Sequence, residues 1–128
     1  MTRINVVPVQ ELHSKHLLAE VREIMRMGSY VQKSLKKYEG KVEELEAAIP
    51  KQYKMGAGHV MFFYDKLHYL FRRYVELLQE CHKRGFRVQP YDWSWRLTDA
   101  PKHWFNDWEP DDTAIKINKE RIRERLGL

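Results

Sequence analysis

The stretch GHVMFFYDKLHYLFRRYVELLQECHKRG, residues 58 to 85, decides the fold. Within it Phe63, Leu67, Leu70, Tyr74, Leu77 and Cys81 recur at alternating spacings of four and three, the period of one face of an α-helix. A helix beginning near Gly58-His59 and running to Arg84, with Gly85 as its stop, is expected to be the longest in the chain, with that stripe as its core face. Working outward, Pro50 stops a short predicted helix at Val42–Ala48, Gly40 ends another over residues 29–38, and the residues up to Arg26 form a further one. On the other side Pro90, Pro101 and Pro110 interrupt the span from Tyr91 to Trp108, which reads as irregular loops with one short helical turn at most. A last segment carries Arg121 and Arg125 four residues apart, with Ile122 and Leu126 as an apolar stripe. The expected fold class is all-α: a single compact domain over residues 1–128, of a few helices, with an aromatic-rich irregular loop.

Composition bounds the function. A chain of 128 residues supports one hydrophobic core. Its net charge of +5, from 23 basic and 18 acidic residues, suits a polyanionic partner. Affinity that comes from neutralising phosphates should weaken steeply with salt. Cys81 is the only cysteine, which excludes an internal disulfide and a multi-cysteine metal site, and it falls on the apolar stripe. The histidines show no metal-ligand spacing, so neither a metal nor another cofactor is expected. No apolar run approaches the roughly twenty residues that span a bilayer, and no signal peptide is evident. A cytoplasmic monomer acting on DNA, without a membrane partner, is the expectation.

The first helix concentrates the chemistry. On a helical wheel Lys15, Arg22, Arg26, Ala19, Glu23 and His16 share one arc of roughly 120°. Ile24, Leu17, Val21, Ser14, Met25 and Leu18 take the opposite side, which is the face expected to be buried. Arg22 and Arg26, one turn apart, repel each other, and a polyanion relieves that repulsion. A plain solvated helix face shows the same pattern, and Glu23 is also an ordinary i,i+3 partner for Arg26. Ahead of the helix stands Thr2. With Met1 removed, its α-amine titrates at roughly 7.7 to 8.0, against about 10.4 for lysine, so part of it is nucleophilic near neutral pH. A nucleophile, a carboxylate and several arginines suggest covalent chemistry on a phosphate-bearing substrate.

Met-Thr-Arg-Ile-Asn at residues 1 to 5, His16-Leu17-Leu18-Ala19-Glu20-Val21-Arg22-Glu23, the run from Gly56-Ala57-Gly58-His59-Val60 through Phe62-Phe63-Tyr64-Asp65-Lys66-Leu67, and Glu80-Cys81-His82-Lys83-Arg84-Gly85-Phe86 are long, specific strings. Through them the chain, from residue 1 to about residue 126, resembles the phage-type pyrimidine-dimer DNA glycosylase/AP lyase family, also called pyrimidine-dimer-specific endonuclease V. The resemblance implies a DNA repair enzyme that acts on cyclobutane pyrimidine dimers in double-stranded DNA. It implies that the Thr2 α-amine attacks the deoxyribose C1′ and forms an imine, and that Glu23 is the acid/base group. Arg3, Arg22 and Arg26 would then hold phosphates around the lesion, His16 would support the site, and Lys15 on the same arc joins the DNA-binding set. Arg121 matches a phosphate-contacting arginine of the family, and Arg125 stands where the prototype has lysine, whose ammonium is not equivalent to a guanidinium. An enzyme this small cannot reach C1′ inside an intact stack, so the duplex should bend and a base should be displaced, in the family the partner opposite the lesion.

The departures bear on specificity. Lys15 replaces a glutamine and Met25 a proline, which predicts a straighter first helix. The prototype has a C-terminal Trp-Tyr-Lys-Tyr-Tyr segment that contributes to lesion binding and has no counterpart before Leu128. The aromatics from Tyr91 to Trp108 are a candidate substitute for stacking on bases. A satellite core is the preferred reading of Trp104, Phe105 and Trp108, while Trp93 and Trp95 stay open. Gly56-Ala57-Gly58 suits either a tight turn or the close approach of a phosphate. A glycosylase or AP lyase for another modified or abasic site, and a non-catalytic helical DNA-binding module, are the alternatives.

Overall fold

In the computed structural model, which describes residues 4–90, 97 and 99–127, the described residues are helical, with no strand. Five α-helices are described: α1 (Ser14–Met25), α2 (Met27–Lys37), α3 (Val42–Ala48), α4 (Leu67–Lys83) and α5 (Asp112–Leu126). Short 3-10 turns at Val9–Glu11, Met61–Phe63 and Lys102–Trp104 join them. The all-α expectation is met.

The predicted stripe forms the centre. Phe63, Leu67, Leu70, Tyr74, Leu77 and Cys81 are all buried, and α4 packs against α1 along Leu17, Val21 and Ile24. The helix is shorter than expected at its N-terminal end, starting at Leu67 rather than near Gly58. Gly58 adopts φ +88°, and Lys66 at φ −129°, ψ 45° is off the helical region, so the chain turns twice before the helix begins. The cap comes from far along the chain: Asn106 donates through Nδ2 to the Asp65 carbonyl (2.9 Å), and its own carbonyl accepts from the Tyr69 N–H (3.2 Å). Leaving Gly58 free to turn is necessary, because a Cβ there would lie 3.0 Å from Pro50 Cγ and the positive φ strains any other residue.

The helix after α1 starts at Met27, two residues before the expected position, and Arg26 alone separates the two. Helix α3 spans the expected residues. Leu126 is exposed, so the apolar stripe of α5 is carried by Ile122 and Ala114 rather than by its last turn.

Of the aromatic stretch, Trp104 is buried and donates its indole N–H to Glu46 (3.0 Å), and Trp108 packs on Phe62 and Tyr69 at ring separations of 5.2 and 5.1 Å. Both are core, as expected. Phe105 is not: it is 48% exposed, since the 3-10 turn that buries Trp104 points the next side chain outward. Tyr91, Trp93 and Trp95 lie outside the described residues.

Candidate active site

The segment ahead of α1 is interior rather than a loose end. Ile4, Asn5, Val6 and Val7 are all at least nine-tenths buried, although chain termini usually fray unless tied down. Five of their backbone groups are hydrogen-bonded to side chains: the Ile4 N–H donates to His59 Nε2 (3.0 Å), the Ile4 carbonyl accepts from the Tyr53 hydroxyl (3.1 Å), the N–H groups of Val6 and Val7 both donate to Asn118 Oδ1 (2.7 and 3.1 Å), and the Val7 carbonyl accepts from Arg73 Nη1 (2.6 Å). Asn5 completes the lattice, donating to Glu20 Oε1 (2.9 Å) and accepting from Asn118 Nδ2 (2.8 Å).

At the centre of that lattice stands a desolvated ion pair. Arg73 on α4 grips Glu20 on α1 through Nε to Oε2 (2.8 Å) and Nη2 to Oε1 (3.1 Å), with both side chains almost wholly buried. Burial opposes the charge on Arg73, but the Glu20 carboxylate, by its charge and its hydrogen bonds, outweighs it and holds the guanidinium pKa above its ordinary value. None of Asn5, Tyr53, Glu20, His59, Arg73 or Asn118 stood out as a site residue from the sequence. A readable signal existed for two of them: Glu20 falls among Leu17, Val21 and Ile24, and Arg73 beside Leu70 and Tyr74, so opposite charges sit on the two faces that pack together.

Glu23 lies one turn beyond Glu20, a rise of about 4.5 Å. The wheel placed it and His16 on the exposed arc, and this is corrected: both are buried. A wheel knows only its own helix, and here Tyr30 of α2 reaches Glu23 while His13 and Arg125 of α5 stand near His16. The Tyr30 hydroxyl of α2 donates to Glu23 Oε1 (3.3 Å), and Arg26 approaches Oε2 at 3.6 Å. Arg26, Arg22 and Lys15 are exposed, on the arc where the wheel put them. Helix α1 ends at Met25, and Arg26 alone stands between it and α2.

His16 Nδ1 is buried with no hydrogen-bond partner among the described residues. Burial first, then the neighbouring His13, Lys15 and Arg125, push the imidazole pKa below its ordinary value. The Arg125 effect places the last turn of α5 within electrostatic reach of α1. Arg121 and Arg125 line a cavity of about 570 Å³ with Gly56, Ala57, His59 and Tyr64. Thus the Gly-Ala-Gly turn, which the sequence left ambiguous, is both a tight turn and the wall of a basic pocket; Gly56, at φ +75°, has open space where a Cβ would stand. Tyr64 links this pocket to Glu23's neighbourhood, accepting from Ser34 Oγ of α2 (3.3 Å) near Tyr30.

Lys15, His16, Arg22, Glu23 and Arg26 thus share α1, Arg125 of α5 acts electrostatically on His16, and Arg121 and Arg125 share a pocket with His59, which holds the Ile4 N–H. Thr2 and Arg3 lie outside the described residues. From Ile4, the two residues back to Thr2 span at most about 7 Å. Among the described residues no group of three or more His, Cys, Asp or Glu side chains could hold a metal, and no helix is long and apolar enough to cross a membrane.

A buried carboxylate with Arg26 at 3.6 Å, on a helix that also exposes Lys15 and Arg22, suits a protein that works on a phosphate-bearing polymer. Residues 1–93 match the family model of pyrimidine dimer DNA glycosylase. The chain belongs to that family, whose DNA repair chemistry makes DNA the substrate.

Proposed function

We propose that this protein is a bifunctional DNA glycosylase and AP lyase that acts, as a monomer and without metal or cofactor, on cyclobutane pyrimidine dimers in duplex DNA. The Thr2 α-amine is the nucleophile and Glu23 the acid/base group. The observation that supports this reading is the fixing of Ile4 to Val7 on both sides of the backbone, which gives a nucleophile two residues away a firm anchor.

The neutral amine forms a bond to C1′ as the glycosidic C1′–N bond breaks and the base leaves with its bonding pair, taking a proton from water. Glu23 accepts the proton shed by the nitrogen and returns it to O4′ as the C1′–O4′ bond opens, leaving a protonated imine. The same carboxylate then removes a proton from C2′, and the 3′-phosphate departs with the electrons of its C–O bond. Water hydrolyses the imine and frees the amine. Arg3, Arg22 and Arg26 hold phosphates beside the lesion, with Lys15, His16, Arg121 and Arg125 extending the contact.

Borohydride trapping on dimer-containing and abasic duplexes tests the proposal. A covalent adduct is expected from protein that begins at Thr2, and its loss when Met1 is retained. Glu23→Gln should abolish strand cleavage. DNA binding without any adduct would mean a non-catalytic module, and cleavage confined to abasic or other modified sites would mean a different lesion.

A further inference from the structure

We propose that His59, assisted by Tyr53, is a positioning residue for the terminal amine, an inference that rests on the proposed role of Thr2. The two side chains clamp opposite sides of one residue: His59 Nε2 takes the Ile4 N–H at 3.0 Å while the Tyr53 hydroxyl donates to the Ile4 carbonyl at 3.1 Å. Ile4 is two residues from Thr2, so a shift of the Ile4 backbone moves the anchor from which the amine extends.

The clamp is itself held. His59 Nδ1 lies 2.7 Å from the Lys54 carbonyl, which can only accept. Nδ1 therefore carries the hydrogen, and Nε2 presents the lone pair that the Ile4 N–H requires. Each hydrogen bond thus fixes the other's tautomer. The Tyr53 ring packs edge-on against the imidazole at 5.4 Å and Phe63 does so at 5.9 Å, which leaves the imidazole one orientation. His59 is 3% exposed, so water does not replace the acceptor if it is lost. Gly58, with its positive φ, is what turns the chain to aim His59 inward. His59 also lines the pocket of Arg121 and Arg125, so one side chain ties the chain start to the wall where phosphate is expected.

The experiment compares wild type, His59→Leu, His59→Gln and Tyr53→Phe, all beginning at Thr2, on an abasic duplex. The readouts are the single-turnover rate of borohydride-trapped adduct at saturating DNA, the DNA affinity and the thermal midpoint. His59→Leu should slow adduct formation by about 10- to 100-fold while affinity stays within about twofold, because a displaced nucleophile loses rate and not binding. His59→Gln, whose amide oxygen can accept from Ile4, should recover most of the rate. Tyr53→Phe, which deletes one hydroxyl and keeps the ring, should slow it by a few-fold, and it decides the matter alone if His59→Leu does not fold. Unchanged adduct rates in the variants, a loss of affinity in place of rate, or a Gln variant no faster than Leu would overturn the positioning role and leave Thr2 as nucleophile. No adduct from wild type would overturn both.

Discussion

Replacing Asn118 by leucine tests the rigidity of the chain start directly. Leucine has a similar volume, so the effect is not that of a cavity, and Asn118 is fully buried, so solvent cannot substitute. Three hydrogen bonds disappear: those from the Val6 and Val7 N–H groups to Oδ1, at 2.7 and 3.1 Å, and that from Nδ2 to Asn5 Oδ1, at 2.8 Å. Each leaves a buried partner unsatisfied at a cost of about 1 to 3 kcal/mol, which gives at least about 3 kcal/mol in total. With a urea m-value of about 2 kcal/mol/M, the midpoint should fall by roughly 1.5 M. The adduct rate should fall as well, since α5 no longer holds the segment that carries the amine. Pairing the change with Asn5→Leu should cost less than the sum of the two, because both remove the same Asn5–Asn118 bond. A destabilisation below about 1 kcal/mol would refute the account, because it would mean that the orphaned groups find water.

Glu20→Gln should destabilise by about 3 to 5 kcal/mol by leaving the Arg73 charge buried without its counterion, whereas Glu20→Leu with Arg73→Met should recover most of that loss in the same denaturation assay. Arg121→Ala and Arg125→Ala should each lower the slope of log affinity against log salt by about 0.9 if each meets one phosphate. An unchanged slope in both would remove α5 from the interface. Burial pushes the His16 imidazole below its ordinary pKa, so its share of stability is present above the ordinary imidazole value and lost as pH falls through the depressed one. A phosphate docked beside it raises that pKa again. DNA binding should therefore take up a proton between the depressed and the raised values and tighten as pH falls through that window; calorimetry in buffers of different ionisation enthalpy reads this, and no uptake would place His16 away from phosphate.

Periodicity carries as far as the physics it samples. The buried stripe of α4 was legible because Phe63 to Cys81 obey one local period, and α3 because Pro50 stops it. The start of α4 was not, because its cap is Asn106, some forty residues away in the chain. The charged surface of α1 was legible for Lys15, Arg22 and Arg26, whose environment is water. It failed for Glu23 and His16 because residues outside α1, Tyr30 at the one and His13 and Arg125 at the other, stand beside them, and no wheel contains a second helix. Resemblance supplied the family and the candidate chemistry, while the polar lattice of Asn5, Glu20, His59, Arg73 and Asn118 depends on contacts between residues up to 113 positions apart.

That long reach has a consequence for biosynthesis. Val6 is secured by Asn118, 112 positions later, so a ribosome must deliver the chain well into α5 before the opening residues can settle. Until then Val6 and Val7 lack the acceptor that anchors them, and a partly made chain cannot complete the polar lattice at its own beginning.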